Sequence, residues 1–431
     1  MNKLIFSITF LFFSFGSNAQ FYLSSGETLT VANSNDFFLQ EDLNNNGTIT
    51  NLTINGSNAL NISGTGTINN LIVNKASGTA TCTGGMQTIT GIYTPTSGVL
   101  AAGGYLTFKS NASTTAQVAI GASSGGYITG NVNVERFIPA KRAWRFLTAP
   151  LIGSSNNSIF YNWQNNDQII SNYGVEIWSP TNGVADPSST NSGMAVGGSG
   201  TFITEYNSAT NKWDPLINTN TSVLFDGNTN KAYSVFVTGP YNNGNTNINA
   251  AAVATTLKAT GILIQGTHTK NLGTATAGQY FLVANPYASS VNPATITLTN
   301  IANNFYMWDP NCVGSYNVGQ YTTYSKSANT YTLVGGGSGS VYVSGTTPIQ
   351  SGQAFFVQAD AAAATSITFN ETDKVSGSTN VFRTSSSNVQ VMRHTLKKNI
   401  NGVETNIDGA LGVFYDGGNA AINYNDAAKF S

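Results

Sequence analysis

Two histidines, two cysteines and a thin scatter of carboxylates are all this chain offers for acid–base, nucleophilic or metal chemistry. His268 stands in the polar, turn-like GTHTK, and His394 lies between Arg393 and Thr395 on a presumptive strand. A hydrolytic triad needs a histidine base beside a nucleophile, and no Gly-x-Ser-x-Gly elbow lies near either one. Neither CxxC nor HExxH spacing occurs, so zinc lacks a ligand set. Cys82 and Cys312 are expected as buried thiols acting as small hydrophobes, one bridge between distant segments being the alternative. Calcium takes oxygen ligands, and Asp226, Asn228 and Asn230 in DGNTN alternate as such ligands do. The full calcium-loop signature is missing and Asp, Asn and Gly are ordinary turn residues, so a solvated turn is favoured. No cofactor is expected, with calcium at DGNTN the one left open.

Sugar chemistry is a separate case, because parallel β-helices often host it. A glycosidase needs two carboxylates flanking the scissile bond. Between residues 20 and 135 the acids are Glu27, Asp36, Glu41, Asp42 and Glu135, all toward the ends, and the middle carries only Lys75 and Lys109. Further on, acids such as Glu176, Glu205 and Asp360 stand singly. Asp214 and Asp309 follow Trp213 and Trp308 and precede Pro215 and Pro310. A Trp-Asp-Pro step makes a stacking platform with a hydrogen-bonding acid, or a core tryptophan with an aspartate opening a turn; the second is favoured. With Trp178, these four residues are the candidate glycan contacts. Burial of all three tryptophans would remove the candidates. The chain is therefore expected to be non-enzymatic, with a polysaccharide lyase or hydrolase as the enzyme class still in play.

The elements that must hold these residues are β-strands. Charged residues are 9% of the chain against about 25% in average proteins, and Asn, Thr, Ser and 45 Gly fill the gap. With a net charge of -1, no field draws nucleic acid or an anionic membrane. Aromatic content still suffices for folding. GTITNLTIN, from Gly47 to Asn55, and GTINNLIVN, from Gly66 to Asn74, align with a nineteen-residue shift, and looser copies follow in GMQTITGIYT, GYLTFKS and GYITGNVNV. Such a period predicts a parallel β-helix over residues 20–135, with an ordinary β-sandwich as the alternative. Ile49, Leu52 and Ile54 should stack on Ile68, Leu71 and Val73. Gly47 and Gly66 are expected at corners with positive φ, and Asn51 and Asn70 at turns. VERFIPAKRAWRFLTAP, residues 134–150, is expected to be a junction whose aromatics pack inward while its cations face out. Residues 136–384 read as short aromatic strands of one or more β-sandwich-like modules. Short helices are conceivable only near 156–164 and 291–302. From 385 to 431 another β unit begins, apparently truncated, with Asn401-Gly402 suited to a hairpin turn. The fold class is all-β.

Residues 1–19 have the pattern of a signal peptide: Lys3, an apolar run from Leu4 to Phe13, then small residues at Ser17 and Ala19, so cleavage is expected between Ala19 and Gln20. That run is too short to span a bilayer, and no later segment is longer. QYFLVANPYASSVNPATI, NNFYMWDPN, GQYTTYS, IQSGQAFFVQA and ITFNETDK, behind the coils and the junction, resemble the module of large secreted Bacteroidota proteins. The resemblance covers nearly everything after the signal segment. One departure is KAYSVFVTGPYNN, with Gly239-Pro240 where such proteins place a charged Asp-Arg corner. Members are exported by the type IX system through a C-terminal sorting domain, which is absent from these residues, so the chain is expected to be a piece of a longer protein. The resemblance implies a secreted or outer-surface protein with a structural or adhesive role, binding a glycan or surface partner, and no common reaction. Glycan binding as an accessory module is the alternative function.

Overall fold

The computed structural model describes residues 20–31, 37–153, 155–180, 193–198, 200–241, 251–312, 318–327, 330–334, 340, 342–345 and 347–375, and the backbone of strands 390–400 and 403–414. The signal segment with Ala19, and the Asn401-Gly402 turn, lie outside the described residues. Gln20 opens the first strand, Gln20–Leu23. The chain divides into two compact units, 1–383 and 384–431. It is nearly all β, with a parallel β-solenoid of about eight turns followed by antiparallel sheets. Among the described residues, no helix is long and apolar enough to cross a membrane.

The nineteen-residue shift is the step from one coil to the next, which elsewhere in the solenoid lengthens by a few residues, as from Ile68 to Ile89. Strands Thr48–Gly56 and Thr67–Gly84 pair in parallel with Ile49 beside Ile68, Leu52 beside Leu71 and Ile54 beside Val73. Because one residue type recurs at one place per coil, side chains form columns. One column runs Leu29, Ile49, Ile68, Ile89, Phe108 and Val134. Another places Cys82 after Leu43 and Ile62, all three buried. Burial pushes the Cys82 thiol up to about 12, so it remains an inert apolar group. Cys312 is buried as well, and no disulfide joins the two. Each fully buried Leu or Ile contributes roughly 1.5–3 kcal/mol, but only while its neighbours above and below exclude water.

Two expectations about the repeat are corrected. Gly47 and Gly66 do not have positive φ. They are glycines because other atoms approach them: a Cβ on Gly47 would lie 2.5 Å from the Glu27 carbonyl oxygen, and one on Gly66 would lie 2.4 Å from Asn45 Nδ2. Asn51 and Asn70 are not at turns but within strands, where Asn70 Nδ2 donates to Asn51 Oδ1 at 2.9 Å. Stacked amides thus satisfy each other from coil to coil, as the columns do for apolar groups.

The solenoid passes directly into the next region. Strand Val132–Ile138 pairs in parallel with Leu106–Phe108 and, over seven residues, antiparallel with Thr255–Leu263. A downstream strand therefore closes the edge that the last coil would leave open. At the junction the expected polarity is reversed at two positions. Arg136 is buried while Phe137 is half-buried, and Arg145 faces the core, nearly inaccessible, while Trp144 is only half-buried. The Arg145 guanidinium compensates by donating to the carbonyls of Pro139, Lys141 and Ala143, which holds the chain's bend before the strand Ala143–Leu147.

Beyond the junction, a four-stranded antiparallel sheet contains Ala143–Leu147, Tyr233–Val237, Ile203–Asn207 and Lys212–Pro215, in that order. A five-stranded sheet orders Tyr280–Ala284, Ala354–Gln358, Asn304–Asp309, Gln320–Ser327 and Thr330–Leu333. The one α-helix among the described residues is Ile159–Trp163, capped by Ser158; 291–302 holds short strand instead, including Thr297–Thr299. In the separate second unit, Gln390–Ile400 and Val403–Phe414 pair antiparallel, with His394 in register with Ala410.

Candidate functional site

In an antiparallel sheet with one face on the core, the other face is normally polar. The five-stranded sheet departs from this. Its inward residues, among them Phe305, Met307, Phe355, Val357 and Tyr324, are buried in the main core. The residues alternating with them are Tyr280, Tyr306, Trp308, Tyr321 and Phe356, also rings. Strand register makes them neighbours: Trp308 faces Tyr321, and Tyr306 faces Phe356.

The four-stranded sheet adds the rest. Tyr206 and Trp213 are cross-strand partners, and Phe146 comes from the junction strand. Phe146 lies 5.5 Å from Trp213 and 5.8 Å from Trp308, ring centre to ring centre. Phe356 lies 4.6 Å from Tyr206 and 5.6 Å from Trp213. Most of these pairs are tilted or edge-on, the arrangement that aromatic quadrupoles favour. Phe146 and Phe356 are buried keystones, whereas Trp213 and Trp308 are half-buried and Tyr321 is 43% exposed. The result is a small second core, open along one side.

Polar groups border the rings. The Tyr206 hydroxyl donates to Asn211 Oδ1 at 3.0 Å, while Asn207 Nδ2 donates to the exposed Asp214 carboxylate at 2.9 Å on the other face of the same strand pair. Tyr306 hydroxyl donates to Gln358 Oε1 at 3.4 Å. Desolvation among the rings raises the phenols of Tyr206 and Tyr306 above their ordinary range, so both remain hydroxyl donors at neutral pH. Such a surface can stack and hydrogen-bond; it contains no nucleophile–base pair.

The sequence-derived candidates separate. Trp213 and Trp308 come together around Phe146, whereas Asp214, next to Trp213 in its strand, is exposed on the opposite face. Asp309 does not join them either: it is fully buried, and its carboxylate accepts from the Asn311 N–H and the Ser340 hydroxyl, both at 2.8 Å, which opens the turn through Pro310. Trp178 is 7% exposed, on a short strand paired with Ala195–Val196. The calcium triplet also disperses. Asp226 accepts from the N–H groups of Asn228 and Thr229 within its own turn, and these bonds hold its carboxyl below the usual range. Asn230 turns inward to donate to the Asn285 carbonyl, while its own carbonyl accepts from Lys270 Nζ, a cation already in place. Among the described residues, no three His, Cys, Asp or Glu side chains gather as a metal site. Sequence reading expected Phe146 to pack inward with the junction's aromatics, and it does, but its place between Trp213 and Trp308 and the keystone Phe356 escaped it; their only signal was alternation of rings with other apolar residues along the strands.

A second buried constellation fastens the solenoid to this region. Glu371 and Lys374 form an ion pair at 2.7 Å with both side chains almost inaccessible. Glu371 also accepts from the Tyr127 hydroxyl and from the N–H groups of Gly121 and Gly266. Lys374 donates to the Tyr127 hydroxyl and lies 4.7 Å over the Tyr287 ring. Burial lowers the Lys374 ammonium from its ordinary value, with Glu371 opposing that shift. No family model matches the chain, and neither a curated protein nor a solved structure matches it.

Proposed function

We propose that this chain is a non-catalytic structural protein acting in adhesion, exported by cleavage of residues 1–19 and working outside the cell. The observation that carries the reading is the way a charge-poor solenoid is built continuously into the ring-bearing sheets. A seven-residue antiparallel register and a buried ion pair join them, which makes a stiff support for an exposed surface. Among the described residues, Glu135, Glu205 and Glu371 each form an ion pair with a lysine. That favours adhesion over glycoside cleavage, which needs paired carboxylates. The resemblance to secreted Bacteroidota surface proteins points the same way.

Beads coated with residues 20–431 should adhere to polysaccharide or cell-wall surfaces, and the soluble protein should release no reducing sugar from them. Turnover of any polysaccharide would replace this reading with the enzymatic one. Expression of the full chain in a secreting bacterium should yield a mature N-terminus at Gln20. Glycan binding is the second reading, and the half-open tryptophans favour it.

A further inference from the structure

We propose that the open aromatic face around Trp213, Trp308 and Tyr321 binds neutral pyranose polysaccharide and is the point of attachment; this rests on the adhesive reading above. Three features identify the ligand class. First, the exposed groups are flat rings at different inclinations, held by the keystones Phe146 and Phe356. A pyranose ring presents C–H groups on its faces, and these pack against aromatic π-faces as weak C–H donors while its hydroxyls point sideways.

Second, what lies sideways here is amide and phenol. Asn211 accepts from the Tyr206 hydroxyl and Gln358 from the Tyr306 hydroxyl at the edge of the rings. Sugar hydroxyls can exchange bonds with these amides and phenols. Third, the edge carries no cluster of cations: Lys212 stands near Asp214 on the same strand, and Lys231 is paired with Glu205. A uronate or sulfated chain would find no compensating pair of arginines. A protein-binding centre would be expected to mix Met and aliphatic groups with its aromatics, whereas Leu282 is the one aliphatic side chain larger than alanine packed into this cluster.

The open side is also built rather than accidental. Scattered exposed apolar residues are normal, but contiguous ones mark binding surfaces. Tyr105, 41% exposed on the solenoid, supplies an internal comparison: a similarly exposed ring outside this cluster.

The test uses purified residues 20–431 in depletion isotherms against insoluble cellulose, xylan and mannan, with polygalacturonate and gelatin-coated beads as charged and protein surfaces. The wild type should bind at least one neutral polysaccharide and quench tryptophan fluorescence on doing so. Tyr321→Ala and Trp213→Ala should each weaken that binding about ten-fold or more, and Tyr105→Ala should not. Tyr321→Ala is the decisive variant because its ring is the most exposed; unchanged circular dichroism verifies its fold. Neutral-glycan binding that survives both cleft variants overturns the site. Adhesion only to polygalacturonate or gelatin overturns the ligand class while leaving the adhesive reading intact. Failure to adhere to any of the five surfaces overturns both.

Discussion

The solenoid and the ring-bearing sheets solve the same problem, covering a β-surface, in opposite ways. In the solenoid, each inward aliphatic residue is buried by its counterpart one coil away, and the outer positions are mostly Asn, Thr and Ser. The apolar residues left outside, such as Ile92 and Tyr105, do not build a second core. In the five-stranded sheet, both faces carry large apolar side chains, so one face fills the main core and the other needs Phe146 and Trp213 from elsewhere, and still remains partly open. Repetition closes a surface; sequence-distant packing leaves one available. Support falls to the first region and contact to the second.

The largest test of that division lies where the two regions are joined. Replacing Glu371 with Ala leaves Lys374 buried with its ion-pair partner gone, and removes the acceptor of two N–H groups and the Tyr127 hydroxyl. Stranding a buried charge costs about 3–5 kcal/mol. Denaturant unfolding should show that loss, and the Glu371→Leu, Lys374→Met double variant should recover the part due to the stranded charge while the Gly121 and Gly266 N–H groups stay unpaired. If the single variant unfolds like wild type, the junction is not what makes the support stiff, and the two regions are better regarded as independent.

Acid should separate the regions next. Neither histidine lies in the solenoid, whereas His268 is half-buried on strand His268–Thr274 with its Nε2 unpartnered. Desolvation, helped by Lys270, lowers its pKa from 6.5 to about 4. The unfolded chain therefore takes up this proton first: His268 leaves stability untouched above pH 6.5, and stability falls as pH drops from 6.5 toward 4. The full effect is at most about 3 kcal/mol, reduced by the solvent that reaches the ring. His268→Asn should flatten the unfolding free energy over that pH window. A slope that persists would place the acid-sensitive group elsewhere.

How much of this was legible follows from the same contrast. The solenoid announced itself because a coil writes its register into a fixed period: Ile49 and Ile68 are recognisable as partners without coordinates. The roles of the repeat's polar positions were not, because a glycine that avoids a clash and a glycine with positive φ look alike in one sequence, as Gly47 and Gly66 demonstrate. In FYMW, residues 305–308, both faces of the strand are apolar, so alternation hides which rings point outward. Phe146 meets Phe356 only through a fold that brings distant strands together. Arg145 runs against expectation for a related reason: three carbonyls of its own bend accept from its two terminal nitrogens inside the protein, with Nε left unpaired. Trp213 and Trp308 were visible as candidates, but Trp178 and Asp309 are equally visible in the sequence and differ in burial.

The finest test concerns whether coils tolerate any deviation from their repeat. A Cβ at residue 66 would lie within 2.6 Å of three atoms of the Asn45 side chain. That side chain cannot easily swing away, because Asn45 Nδ2 donates to Gln87 Oε1 at 2.9 Å and Asn45 Oδ1 accepts from the Gly47 N–H at 3.1 Å. Gly66→Ala must therefore break a buried amide pair or shift the coil, at about 1–3 kcal/mol. Gly84, on the same long strand, has nothing within 4 Å of where a Cβ would sit and no positive φ, so Gly84→Ala should change stability by less than about 0.5 kcal/mol. Paired thermal melts decide it. Equal effects at the two glycines would mean that close approach between coils is not what selects glycine at residue 66.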